Sequence, residues 1–72
     1  MLGKDKLSQK VGDKIRQARE NIGISQEELS DRAGFYRTYV GHIEVGRYTP
    51  SVYTIYKIAK ALKVPSSDLL PF

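Results

Sequence analysis

Apolar residues recur at spacings of three and four from Leu7 through Val11, Ile15 and Ala18 to Ile22. That period lays one apolar stripe along a helix. Lys10, Asp13, Lys14, Arg16, Gln17 and Glu20 occupy the other face. Gly23 then suits a left-handed helix end, so a first helix is predicted over about Leu7 to Ile22. Ser25-Gln26-Glu27-Glu28 has the form of a capping box, with serine at the N-cap and glutamate three residues on. Leu29 and Ala33 share a face and Gly34 ends the run, which predicts a short second helix over Gln26 to Ala33.

A third short helix is predicted from Arg37 to Val45, closed by Gly46. Val40 and Ile43 are three apart and turn toward a core, which leaves Arg37, Thr38, Gly41 and His42 outward. Arg47-Tyr48-Thr49-Pro50 reads as a loop and Ser51 as the next N-cap. Ile55, Ile58, Ala59 and Leu62 form the stripe of a fourth helix over Val52 to Leu62. Lys57, Lys60 and Lys63 lie toward its end, where cations suit the helix dipole. Asp68-Leu69-Leu70 suggests one further helical turn before Pro71-Phe72. No strand alternation, repeat or low-complexity tract interrupts this all-α pattern.

The 72 residues suffice for one domain, 1–72, with 1–6 as a flexible N-terminal segment. A core of that size is marginal, and pairing with a second copy is a common supplement. There are no cysteines, which excludes disulfides and thiolate metal sites. No apolar run approaches a membrane span, and the N-terminus lacks the apolar stretch of a secretory signal; a cytoplasmic protein is expected. Twelve Lys and Arg against 8 Asp and Glu give a net charge of +4, which permits a nucleic-acid partner without requiring one. There is no Gly-rich phosphate loop, nucleophile–base pair or metal-ligand spacing, and His42 is the only histidine. No enzyme, cofactor or small-molecule ligand is expected.

The segment SQEELSDRAGFYRTYVGHIEVG resembles the helix-turn-helix of the Cro and phage-repressor (Xre) family. The spacing carries the resemblance: small Ser30 where two helices cross, Gly34 in the turn, Val40 and Ile43 as anchors of the second helix. Ile15-Arg16 and Arg19, Ile43-Glu44 with Gly46, Pro50-Ser51, and Ile58-Ala59-Lys60-Ala61-Leu62 followed by Val64 extend it to about Val11–Leu70. Arg37-Thr38-Tyr39 followed by Val40 is most similar to controller proteins of restriction–modification systems. Two positions depart from the pattern. Ser30 stands where alanine is frequent, so its hydroxyl needs a partner. Tyr36 stands where a small polar N-cap is usual, a cap worth about 1 kcal/mol.

The resemblance implies a compact five-helix, lambda-repressor-like fold, with helices 2 and 3 as the helix-turn-helix, that binds double-stranded DNA as a transcriptional regulator. It assigns base reading to Arg37 and Thr38 in the first turn of helix 3; Gly41 and His42 lie on the same outward side one turn later, where His42 is a candidate donor to a base or phosphate, with an exposed helix histidine of no role as the equal alternative. A solvated or phosphate-bound Arg37 is the competing reading. Gly41 costs about 1 kcal/mol of helix propensity, which close approach of DNA or of another helix explains equally. The resemblance gives Gln26 a phosphate and a bracing contact to helix 3. Tyr36, Tyr39, Arg47 and Tyr48 are further phosphate candidates, with packing or solvation as the alternative. It also implies an architectural salt bridge between Arg19 and Glu44.

Tyr53, Tyr56, Leu69, Leu70 and Phe72 supply more apolar surface than one short tail hides, and exposed apolar clusters mark interfaces. The resemblance implies pairing through this region, so a homodimer on a palindromic operator is expected, with a monomer whose tail folds over its own core as the alternative. Two rivals use the same scaffold: a helical protein–protein adaptor and an antitoxin-type regulator.

Overall fold

The computed structural model describes residues 2–72, with side chains from Lys6 onward. Helices α1 (Leu2–Ile22), α2 (Gln26–Ala33), α3 (Tyr39–Glu44) and α4 (Val52–Leu62) are followed by a 3-10 turn over Ser66–Leu69. Among the described residues there is no strand, and no helix is long and apolar enough to cross a membrane.

The architecture is thus four α-helices, and the expected fifth is a single 3-10 turn. Asp68 N–H donates to the Pro65 carbonyl at 3.0 Å and Leu70 N–H to Ser67 at 3.3 Å. Pro71 pushes Leu70 out of the α region, so the turn has no room to lengthen. The first helix starts at Leu2, before the predicted Leu7. Leu2–Lys6 contains no proline, and although Gly3 costs about 1 kcal/mol of helix propensity, extending an existing helix adds a hydrogen bond for each residue fixed. Met1, the first residue of the segment expected to be flexible, lies outside the described residues.

Local chemistry sets the other boundaries. Ser25 is extended and its Oγ accepts the Glu28 N–H at 2.9 Å, which caps α2. Ser51 Oγ does the same for Thr54 N–H at 3.0 Å at the start of α4. Gly34 has φ 82°, where a Cβ is strained. It turns the chain from α2 toward α3, with Phe35 N–H donating to the Ser30 carbonyl at 2.9 Å.

The core draws on every element: Val11 and Ile15, Leu29 and Ala33, Val40 and Ile43, then Ile55, Ile58, Ala59 and Leu62, and finally Leu69. α1 packs on α3 and on the 3-10 turn, and α2 packs on α3 and α4. One glycine permits a close approach of α1 to α3. A Cβ on Gly12 would lie 2.5 Å from the Ile43 carbonyl oxygen and 2.7 Å from that of Glu44. The backbone of α1 therefore touches the C-terminal end of α3 directly. Ser8, one turn earlier, is buried and hydrogen-bonds Thr49 at 2.6 Å. Ser8 and Gly12 together seat the end of α3 and the loop after it.

Candidate nucleic-acid interface

The orientation of α3 rests on a buried carboxylate. Glu44 is 1% exposed and sits at the last turn of α3. Its Oε2 accepts from Arg19 Nε at 2.7 Å; its Oε1 accepts from Arg19 Nη2 at 3.0 Å and from Gln26 Nε2 at 2.9 Å. Arg19 Nη1 donates to the Ile24 carbonyl at 2.8 Å. Hydrogen bonding to Glu44 raises the Arg19 pKa above its ordinary value, against the opposing effect of burial. The cation and its counter-charge thus tie α1, α2 and α3 at one point. A buried charge so fully bonded meets the condition under which burial is tolerated.

Gln26 accordingly braces α3 from inside: a donor of its amide is committed to Glu44. The same side chain accounts for Gly41, since a Cβ there would meet Gln26 Oε1 at 3.0 Å. The glycine makes room for a neighbouring helix.

The start of α3 differs from expectation. Arg37 and Thr38 precede the helix; they form a turn closed by Tyr39 N–H donating to the Tyr36 carbonyl at 3.0 Å. Thr38 occupies the N-cap but makes no side-chain cap bond. The cap comes instead from α2. Ser30 is fully buried; its Oγ accepts the Val40 N–H at 3.1 Å and donates to the Gln26 carbonyl at 3.0 Å. The serine that departs from the family pattern thus replaces the cap that Tyr36 cannot supply. With no acceptor at Tyr36, the helix starts only where Ser30 reaches it.

Arg37 and Thr38 are exposed on this turn. Beside them lies an aromatic group that the apolar periodicity does not reveal. The Tyr39 ring centroid is 4.8 Å from Phe35, 5.2 Å from Tyr36 and 5.9 Å from Tyr48. His42 lies 5.3 Å from Tyr48 and 6.5 Å from Tyr36, and Arg47 Nη1 contacts His42 Nδ1. Tyr36 and Tyr48 remain exposed, whereas Tyr39 is half-buried and its hydroxyl lies 3.4 Å from Thr54 Oγ1. The Tyr48 hydroxyl, as hydrogen-bond partner, raises the Tyr36 phenol from its ordinary value. Tyr36, Tyr39, His42, Arg47 and Tyr48 are thus brought together around α3, with Arg37 and Thr38 adjacent; Gln26 faces inward to Glu44.

The C-terminal set divides. Leu69 is fully buried between α1 and α4, so it belongs to the monomer core and leaves the interface set. The 3-10 turn rotates it inward, a rotation that sequence spacing alone does not report. Tyr53, Tyr56 and Phe72 are exposed, Phe72 by 86%, and Leu70 is half-buried. Tyr56, Leu70 and Phe72 line an apolar groove of about 630 Å³ with Leu7, Val11 and Val52. Tyr53 lies outside it, with Lys57 Nζ 5.7 Å from its ring centroid. The exposure of Val52, 87%, follows from its position at the first residue of α4, off the stripe.

The paired short helices α2 and α3, braced through one buried ion pair, define a class. The helix-turn-helix family model matches residues 15–69, and the chain belongs to that family, in its Cro/Xre type. It is similar to the HTH-type transcriptional regulator y4dJ of Sinorhizobium fredii, with 38% identity over 60 residues, 83% of this chain and 78% of that protein. Control protein C.BamHI of Bacillus amyloliquefaciens is 44% identical over 62 residues, 85% of this chain and 76% of that one. Among solved structures, the restriction-modification controller protein C.AhdI from Aeromonas hydrophila aligns with a TM-score of 0.84 at 36% identity, covering 88% of this chain and 96% of that chain.

Proposed function

We propose that this protein is a sequence-specific regulator of transcription that binds duplex DNA as a homodimer. In this reading α2 and α3 are the helix-turn-helix, and the turn before α3 enters the major groove. The observation that carries it is the exposed Arg37-Thr38 turn beside Tyr36, His42, Arg47 and Tyr48, on a helix held rigid by the Arg19–Glu44–Gln26 contacts. An arginine in that place can pair bidentately with guanine, and threonine can touch a thymine methyl. The exposed phenols and the N-terminus of α2 suit phosphates, which position the protein without reading sequence. The kinship with C.BamHI and C.AhdI favours a controller of a restriction–modification system.

The groove and Phe72 support the dimer. A second copy covering this face would bury Val52, Tyr56, Leu70 and Phe72. Two-fold pairing would place the recognition elements about 34 Å apart, one turn of DNA, on a palindrome with half-site centres about 10 base pairs apart.

Selection of bound sequences from a random duplex pool, at fixed salt, tests the proposal. A palindromic motif is expected, and Arg37→Ala should cost about 1–3 kcal/mol on it and relax one base position. Absence of enrichment would overturn DNA reading in favour of a protein adaptor.

A further inference from the structure

The loop after α3 is pinned at two points by consecutive residues of α1. At its start, the Glu44 carbonyl is one of those that a helix leaves without an internal partner at its C-terminal end, and among the described residues no backbone N–H reaches it. Gln9 Nε2 donates to it at 3.3 Å and to Asp13 Oδ1 at 3.1 Å. Both partners are acceptors, so the amide must present its NH2 group to them. The Gln9 backbone packs against Gly46, where φ is 79° and a Cβ would lie 3.4 Å from Gln9 N and Cα. At the loop's end, the buried Ser8 hydroxyl holds Thr49 Oγ1 at 2.6 Å. Between the two pins Arg47 and Tyr48 are exposed. The opposite end of α3 is held from elsewhere, by Ser30 of α2 at the Val40 N–H.

Resting on the reading that α3 and its flanks meet duplex DNA, we infer that Ser8 and Gln9 are positioning residues: they fix the loop that presents Arg47 and Tyr48 to the DNA backbone, without contacting DNA themselves. α3 has six residues, too few for a helix to be stable alone, so each end takes its direction from the helix that caps it. α2 sets the base-reading turn Arg37-Thr38, and α1 sets the backbone-contacting loop. Phosphate contacts position a protein without reading sequence, so affinity and base preference are separable between the two ends. A loose loop would lose conformational freedom when it docks; a pinned loop has lost it already in the free protein.

The double variant Ser8→Ala/Gln9→Met removes both pins and leaves the net charge unchanged. Thr49 is exposed, so its hydroxyl can bond water instead, and circular dichroism should show a folded domain. Should the pair unfold it, Gln9→Met alone, at an exposed position, carries the same comparison. In the free protein, amide hydrogen exchange should rise at Gly46 and Arg47, whose N–H groups donate to the Ile43 and His42 carbonyls, and stay unchanged at Ile58 in the core. No rise, or an equal rise at all three, would overturn the inference. On DNA, the double variant should bind the selected site and each of its single-base variants about 3–10-fold more weakly, with base preferences kept. The salt slope should fall by up to about 0.9, the share of one phosphate contact. In an Arg47→Ala/Tyr48→Phe background the same two changes should cost nothing more. Loss of preference at a base position, or an equal loss of affinity in both backgrounds, would refute the positioning role. Failure of the wild type to select any sequence would sink the DNA-reading proposal itself; selection by the wild type with uncoupled variants would sink only this one.

Discussion

Replacing Arg19 by methionine should be the most damaging single change at the helix-bracing site. It would leave a carboxylate that is 1% exposed with one remaining donor, Gln26 Nε2, in place of three contacts. Stranding one member of a buried pair costs about 3–5 kcal/mol. A domain of 72 residues has on the order of 4–11 kcal/mol in total, so the variant should be barely folded. Glu44→Met should cost less, near the low end at about 3 kcal/mol. The reason is geometric: the Arg19 side chain is 12% exposed, still donates to the Ile24 carbonyl at 2.8 Å, and lies 3.9 Å from Glu20. The double variant Arg19→Met/Glu44→Met removes both charges and should be more stable than Arg19→Met alone, since an apolar pair of similar volume often replaces a buried ion pair at little cost. Thermal and urea unfolding followed by circular dichroism, at one low protein concentration, gives the cycle. A loss of 3 kcal/mol corresponds to about 12–24 °C in Tm for a domain this small. Costs under about 1 kcal/mol for each single variant, adding without coupling, would mean that the pair behaves as an exposed one. The pair would then not be what fixes α3.

Ser30→Ala should destabilise by about 1–3 kcal/mol, because the Val40 N–H loses its only side-chain acceptor in a buried place; urea unfolding measures it, and a neutral result would remove Ser30 as the cap of α3. Gly12→Ala should cost about 1–3 kcal/mol through overpacking against the Ile43 and Glu44 carbonyls, and it should weaken DNA binding at temperatures where the variant stays folded, because α3 must shift; unchanged affinity in a gel-shift titration would show that the contact does not set the helix. Leu69→Asp should unfold the monomer, whereas Phe72→Asp should leave the circular dichroism spectrum intact and shift sedimentation toward the monomer; a wild type that sediments as a monomer at micromolar concentration, alone and on its operator, would refute the dimer.

The helices were legible in the sequence where the signal was local. Ser25 and Ser51 announce α2 and α4 because a serine hydroxyl caps its own helix three residues on, and Val11, Ile15, Leu29, Val40, Ile43, Ile58 and Leu62 mark the core because burial follows the period of 3.6. Gly34 marks the turn because few residues other than glycine accept φ 82°. The family was legible for the same reason, as its pattern is a set of spacings. What lay outside local reach was decided by contact between elements. The start of α3 depends on a hydroxyl from α2, ten positions earlier, so no property of Tyr36-Arg37-Thr38 alone could locate it. Gly12 was silent because its reason is the carbonyl end of another helix; only the spacing of small residues Ser8 and Gly12 beside the apolar stripe hinted at it. Leu69 and Phe72 are both apolar residues of one tail, yet the 3-10 turn buries the first completely and leaves the second 86% exposed. The gathering of Tyr36, Tyr39, His42, Arg47 and Tyr48 likewise requires α3 to bring the turn before it and the loop after it to one side. Sequence fixes which side chains are available and where helices begin by their own caps; the tertiary packing decides which of those side chains meet, because hydrogen bonds and burial between elements depend on distances the chain does not encode locally.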